Sequence, residues 1–374
     1  MDDCLIIGAG VVGLSIAYEM AGRGAEVTVI DRQQPGEEAS WAGAGIFPAA
    51  SLRPEDSAYH QLAGLSYQLH SQWAARLREE TGIDNGFQIC GELYIANDDA
   101  TRAATQSEIN CLSDRNIATA EVSKQLKEIE PEIHASAECK PSAWIVPDSG
   151  QLRNPRHLKA LVAGCCRRGC RIVADVGDVR FDVARNRVTG VSTNAGKFHA
   201  ANYCVCAGAW SGGLLQRLDC HLPIKPIRGQ MLLFCAKRRL FQSVIHNGPH
   251  YLVPRDDGRV LAGSTLEDVG FNKQTTTSAI DQLRHFATSC IPALDDAEVE
   301  QCWAGLRPGA REGEAFIGPV PGITNAFAAT GHYRWGLYLS PGTATVMSEL
   351  LLGESPRLDL DEFRLDRELQ FAGR

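Results

Sequence analysis

The sequence predicts an α/β chain: a Rossmann-like dinucleotide-binding domain with a second, α+β domain built on an antiparallel sheet. Three observations predict it. The chain opens on a βαβ unit with a G-x-G-x-x-G turn. A second apolar strand, Asn202-Tyr203-Cys204-Val205-Cys206, runs into another small-residue turn, Ala207-Gly208-Ala209-Trp210-Ser211. From Pro223 onward, short segments of alternating polarity take over, as in an antiparallel sheet.

The opening unit is the best defined. Cys4-Leu5-Ile6-Ile7 suffices for one buried strand and ends in Gly8-Ala9-Gly10-Val11-Val12-Gly13. Residues 14–23 carry apolar side chains at helical spacing, Gly24 stops that helix, and residues 25–30 form a second strand with Asp31 at its tip. Gly8 permits the tight turn, Gly10 lets the backbone approach a pyrophosphate, and Gly13 lets helix and strand pack closely. The unpaired N–H groups and dipole of the helix start favour phosphate. Asp31 can accept hydrogen bonds from ribose hydroxyls. Strand, glycines, helix, stop, strand and acid in this order outweigh the alternative of a Gly-rich turn without a ligand.

Residues 39–48 are mostly small, which lets another surface approach the backbone; beside a dinucleotide turn, cofactor contact is preferred over core packing, with Ser40 as an N-cap. Residues 60–81 form an amphipathic helix whose Leu62, Leu65, Leu69, Trp73 and Leu77 read as core. Strands follow at 88–90 and 92–96, surface helices at 98–116 and 123–129, a strand at 143–147 and a turn at 148–151. Asn154-Pro155 starts a helix running to Arg168, and 169–179 and 187–191 read as strands. The strand through Cys206 ends at Gly208, and Ser211 caps the next helix; at a strand's carboxyl end this suits a second backbone contact on the dinucleotide. Strands at 228–234, 250–254 and 259–265 precede a helix at 278–289. The chain closes with a strand at 326–329, a loop at 331–336 and a helix at 342–352, a third place where backbone N–H groups could face a cofactor.

With 374 residues the chain has room for two domains. Its 44% hydrophobic and 22% charged content is that of a soluble globular protein. The net charge of −8 argues against a general nucleic-acid binder. No apolar run reaches the roughly 20 residues of a membrane span, and the first strand begins too early to leave room for a signal peptide. Cysteine is frequent, but the 13 residues include no C-x-x-C pair and no histidine at zinc-site spacing. They read as reduced thiols packed as small hydrophobes, which points to the cytoplasm and to no metal site.

Taken together, the motifs resemble the D-amino-acid oxidase and glycine oxidase family of FAD-dependent amine oxidases, and within it the bacterial glycine oxidases of thiamine biosynthesis. The resemblance spans essentially the whole chain. Its carriers are the fingerprint from Ile6 to Asp31, Ala39-Ser40-Trp41-Ala42-Gly43-Ala44-Gly45-Ile46, Ala207-Gly208-Ala209-Trp210-Ser211, Tyr251-Leu252-Val253-Pro254-Arg255, Trp303-Ala304-Gly305-Leu306-Arg307-Pro308 and Gly331-His332-Tyr333-Arg334-Trp335-Gly336. It implies a GR2-type FAD-binding domain from residues 1–84, 145–220 and 306–374, with an inserted substrate domain from 85–144 and 221–305. The flavin would lie between them.

Carried over by residue, the resemblance implies that Gly8, Gly10, Val12 and Gly13 hold the pyrophosphate and that Asp31 and Arg32 hold the ribose. Ser40, Ala44, Gly45 and Ile46 would line the flavin side. Val179 (or Val176, in another register) would meet adenine, and Gly208 would add a backbone contact. His332, Tyr333, Trp335, Gly336, Leu337 and Tyr338 would run along the isoalloxazine. Arg307 matches the carboxylate-binding position; a guanidinium suits it, being always charged and bidentate. Tyr251 would assist it and Arg334 would sit on the substrate side. The plainer readings are a structural arginine, a sheet-core tyrosine and a flavin-loop arginine. Leu266, Met231 and Phe234 read as pocket or core. Trp335 and Tyr338 depart from the family pattern and bear on substrate size. A related branch tethers its flavin through cysteine; residues 307–316 contain none, so non-covalent FAD is expected.

The implied reaction is oxidative deamination of glycine or a small amino acid, with molecular oxygen reduced to hydrogen peroxide. The alternatives are oxidation of N-methyl or larger D-amino acids, a dehydrogenase with another acceptor, and a flavin-binding protein without turnover. By analogy the protein would be a homodimer or homotetramer.

Overall fold

The computed structural model describes residues 1–134, 141–310 and 315–367. A six-stranded sheet runs in the order Phe316–Pro319, Ala326–Thr330, Ala200–Val205, Asp2–Ile7, Val27–Ile30, Arg171–Val173. All neighbours are parallel except the first pair. Alternation along each strand feeds two layers. Cys4, Ile6 and Cys204 face a core with the helices Val11–Gly22, Ala58–Thr81, Asn154–Arg167 and Gly336–Leu351. Leu5, Ile7, Tyr203 and Val205 face a small antiparallel sheet, Arg180–Ala184, Arg187–Thr193 and Gly196–Phe198. Because the central strands are parallel, their carboxyl ends share one edge, and the residues that follow (Gly8, Asp31, Gly208) meet there.

An eight-stranded sheet takes the order Glu298–Gly309, Lys225–Cys235, Arg259–Gly263, His250–Pro254, Val244–Asn247, Glu92–Ala96, Ser142–Val146, Ala120–Glu121. Its pairs are antiparallel except the parallel pair of Val244–Asn247 with Glu92–Ala96. Register places Tyr94, His246, Tyr251, Gly263, Met231 and Trp303 in one cross-strand row. Directly opposed residues share a face, and four of this row, Tyr94, His246, Tyr251 and Met231, line one cavity.

Several expectations are corrected. The strand expected over 169–179 stops at Val173, because Asp175 and Gly177 take left-handed backbones (φ 57° and 69°). The expected turn at 148–151 contains a short strand, Gly150–Gln151, between Ile46–Phe47 and Gln88–Ile89. The strand through Val205 ends before Gly208, and Gly208–Trp210 is a 3-10 turn. Ser211 is no cap: its hydroxyl is buried without a hydrogen-bond partner. The last helix begins at Gly336 and contains Pro341, which donates no N–H to the Leu337 carbonyl one turn earlier. The Ser340 hydroxyl donates to that carbonyl instead, at 2.9 Å, so the helix expected only over 342–352 runs through Pro341 from Gly336.

Candidate active site

A cavity of about 1270 Å³ follows the carboxyl edge of the parallel sheet and continues along the face of the eight-stranded sheet. At one end lie Asp31, Arg32 and Val179. Ala9 N–H donates to Asp31 Oδ2 at 2.6 Å and Gln33 N–H to Oδ1 at 3.0 Å, which ties the acid to the glycine turn. Burial raises the Asp31 carboxyl, against the lowering effect of those two N–H groups. The Arg32 guanidinium lies 3.6 Å over the Trp210 ring and pairs with Glu38 at 3.1 Å. Val176, the alternative adenine contact, is wholly buried in the core.

The glycine turn forms the middle. Gly8, Gly10 and Val12 line the cavity. Gly13 does not: a Cβ there would lie 2.0 Å from the Gly8 carbonyl oxygen, so its place is in the packing of helix on turn. Ser40 caps a different helix from the one expected. Its hydroxyl accepts from Val11 N–H at 2.9 Å, satisfying a donor at the start of Val11–Gly22.

At the far end, the small-residue run serves two surfaces. Ala44, Gly45 and Ile46 line the cavity. Behind them, a Cβ on Gly305 would come within 2.5 Å of Ala42 Cβ, and Trp303 Nε1 donates to the Ala42 carbonyl at 3.1 Å. Part of what read as cofactor contact is therefore sheet packing. Across the cavity run His332, Tyr333, Arg334, Trp335, Gly336, Leu337 and Tyr338. His332 is buried; its Nε2 meets Thr343 Oγ1 at 3.1 Å, and burial holds its value down at about 4. The Tyr338 carbonyl accepts from His70 Nε2 at 2.8 Å.

Arg307 and Tyr251 stand on strands of the eight-stranded sheet that are separated by two others, Lys225–Cys235 and Arg259–Gly263. Arg307 Nη2 donates to Ser264 Oγ at 2.7 Å and Nη1 to the Thr265 carbonyl at 3.2 Å. These acceptors are neutral, and among the described residues no carboxylate lies within ion-pair distance of Arg307. Burial lowers the guanidinium value and nearby Arg334 adds to that. Tyr251 turns its hydroxyl toward Met231 Sδ, 3.6 Å away. Met231 lines the cavity, Phe234 is core and Leu266 is largely exposed. Arg334 is exposed at the rim and packs on its neighbour Tyr333.

Sequence reasoning missed three participants. Asn154, read only as a helix start, lines the cavity and donates to the Ser40 carbonyl at 2.7 Å. His70 lies on the amphipathic helix read over 60–81 but outside the Leu and Trp stripe taken as its core face, so nothing singled it out. Arg255 belonged to a quoted motif, but nothing in its type showed that it binds the Ala44 carbonyl, at 2.7 Å.

An acid tied to the glycine turn, an open helix start, and a long wall of backbone and apolar surface match an adenine nucleotide carrying a planar ring, as FAD does. Residues 3–350 match the family described as FAD dependent oxidoreductase (DAO), and the chain belongs to that family. It is an FAD-dependent oxidoreductase. It is 35% identical over 357 residues to the glycine oxidase of Pseudomonas aeruginosa, covering 95% of this chain and 96% of that protein. It is 30% identical to the bifunctional protein ThiO/ThiG of a Nostoc species, covering 99% of this chain and 56% of that protein. The crystal structure of glycine oxidase from Geobacillus kaustophilus superposes with a TM-score of 0.91 at 28% identity, covering 98% of this chain and 99% of that one. Among the described residues, no helix is long and apolar enough to cross a membrane.

Proposed function

We propose that this protein oxidises glycine or another small amino acid to the imine, which hydrolyses to the oxo-acid and ammonia, with oxygen reduced to hydrogen peroxide. The observation that carries the reading is Arg307: a cation in the cavity wall that donates to the Ser264 hydroxyl and the Thr265 carbonyl, both neutral. A guanidinium held this way is ready for a substrate carboxylate. Bound along these residues, FAD would supply the hydride acceptor for the substrate α-carbon and the route by which the electrons reach oxygen.

Arg307 and the Tyr251 hydroxyl fix the carboxylate and thereby orient the α C–H. Ser264 and the Thr265 carbonyl hold the guanidinium in place before substrate arrives. Orientation of this kind supplies most of what the side chains contribute, and a substrate amine entering neutral needs no side-chain base. Trp335 and Tyr338, their ring centroids 6.2 Å apart in an edge arrangement, both line the cavity, and their bulk supports a small substrate over a bulky D-amino acid.

The site assignments follow from the same reading. Gly8, Gly10 and Val12 hold the pyrophosphate, Asp31 the ribose, and Ala44–Ile46 with residues 332–338 the ring, bound without a covalent tether. Residues 311–314, part of the cysteine-free stretch, lie outside the described residues. The division into 1–84, 145–220 and 306–374 against 85–144 and 221–305 is supported by sheet membership, although Ser142–Val146 and the end of Glu298–Gly309 carry the eight-stranded sheet past those boundaries. The test is anaerobic flavin bleaching across a panel of glycine, sarcosine, D-alanine and larger amines. Reduction by bulky amines alone would refute the glycine assignment. Peroxide formed in air, in step with glycine consumed, separates an oxidase from a dehydrogenase. A role in thiamine synthesis rests on the ThiO/ThiG likeness.

A further inference from the structure

We propose that Arg255 is a positioning residue that fixes the turn Ala44–Ile46 against the cofactor and leaves its own positive charge directly behind that turn. The inference rests on the reading that the flavin lies along these residues.

Arg255 follows the strand His250–Pro254 and does not line the cavity. It reaches the cavity through its acceptors. Nη2 donates to the Ala44 carbonyl at 2.7 Å, and Nη1 donates to Gln151 Oε1 at 2.6 Å and to the Leu152 carbonyl at 3.1 Å. One planar guanidinium thus bridges two stretches of backbone. The stretches are joined elsewhere too: Leu152 N–H donates to the Gly45 carbonyl at 2.8 Å, and Ile46 pairs with Gln151. Gly45 has φ 74°, and a Cβ there would lie 1.9 Å from the Leu152 oxygen, so the turn has no slack on that side. Gln151 is wholly buried and satisfied at both ends, since its Nε2 donates to the Pro254 carbonyl at 2.8 Å.

All three acceptors are neutral. The two carboxylates that follow it in sequence are engaged elsewhere, Asp256 by Arg239 at 2.5 Å and Asp257 by Arg153 at 2.6 Å and Arg259 at 3.0 Å. Among the described residues Arg255 has no ion-pair partner. Burial pulls its value down to about 10, with Arg153 adding to the effect and Asp257 opposing it, and leaves it charged at neutral pH. A cation one residue behind the flavin wall favours an electron-rich, reduced ring over the oxidised one. The same side chain therefore has two effects that substitution can separate. Lysine keeps the charge but, as a compact point donor, cannot bridge two carbonyls and an amide; glutamine removes the charge.

The test measures holoprotein in three forms: wild type, Arg255→Lys and Arg255→Gln. Readouts are the flavin midpoint potential, the rate of FAD release and the melting temperature. Both variants are expected to release FAD at least fivefold faster. Only Arg255→Gln is expected to lower the midpoint potential. Two results would overturn the proposal: a folded Arg255→Gln protein with unchanged potential and release rate, or variants that melt earlier while both flavin readouts stay at wild-type values. The second result would give the guanidinium a role in folding alone. Bleaching of the wild type by glycine is measured separately, so failure of the proposed reaction is distinguishable from failure of this inference.

Discussion

Gly229 and Arg307 share one space. A Cβ built on Gly229 would lie 2.2 Å from both terminal nitrogens of the Arg307 guanidinium. Ile227 and Arg307 face each other across the same strand pair that opposes Gly229 and Gly305, so the arginine lies back over the glycine. The strand needs no glycine for its backbone here; the guanidinium needs the room.

Gly229→Ala should therefore leave the fold intact and displace the guanidinium. The expected result is a KM for carboxylate substrates raised about tenfold, or ~1.4 kcal/mol, with little change in melting temperature. Steady-state kinetics beside a thermal melt checks both halves.

Histidine burial sets the acid side of stability. His70 and His157 are almost fully buried and held at about 4 and about 3, and His332 at about 4, all by burial and all below the ordinary 6.5. Lowered folded values mean that the unfolded chain takes up these protons first. Stability is complete above about pH 6.5 and falls as pH drops toward the folded values, by about 2 kcal/mol per histidine at pH 5. Urea melts of the holoprotein between pH 7.5 and 5 should show that decline, and His70→Gln should flatten it. A midpoint independent of pH over this range would contradict the assignment.

Ser340→Ala tests the proline-containing helix. It removes the hydroxyl that satisfies the Leu337 carbonyl where Pro341 cannot. The expected cost is about 1 kcal/mol of stability by urea unfolding. Flavin affinity should fall as well, because Leu337 lines the cavity.

Ser40→Ala removes the acceptor for Val11 N–H at the start of the first helix. Loss of such a cap costs about 1 kcal/mol. Its second effect is expected at the cofactor: weaker FAD binding, measured by quenching of flavin fluorescence, with the KM for substrate unchanged.

The strands Asp2–Ile7 and Val27–Ile30 were legible in the sequence because each is an apolar run that passes straight into Gly8 or Asp31, and the apolar strand Ala200–Val205 leads to Gly208; those ends line the site. Asp31, Gly8 and Gly208 were legible for that reason. Arg307 and Tyr251 were legible only through resemblance, since their meeting depends on register across the eight-stranded sheet. Ser40 was recognised as a cap, but the helix it caps begins 29 residues earlier at Val11. No local pattern encodes that pairing. The hairpin strands at Arg180–Ala184 and Gly196–Phe198 went unread, being short, half exposed and rich in polar residues. The last helix was started too late because proline marks helix boundaries more often than it is bridged by a neighbouring hydroxyl.

On the proposed reading, Arg307 receives the carboxylate of a small amino acid beside bound FAD. The most direct measurement is anaerobic flavin reduction by glycine, followed in wild type and in Arg307→Ala loaded with FAD. Wild type should bleach. The variant should need ten- to a hundredfold more glycine for half-maximal reduction, in line with roughly 1.5–3 kcal/mol for a charge-assisted contact. Half-maximal reduction at the same glycine concentration in both proteins would contradict the claim.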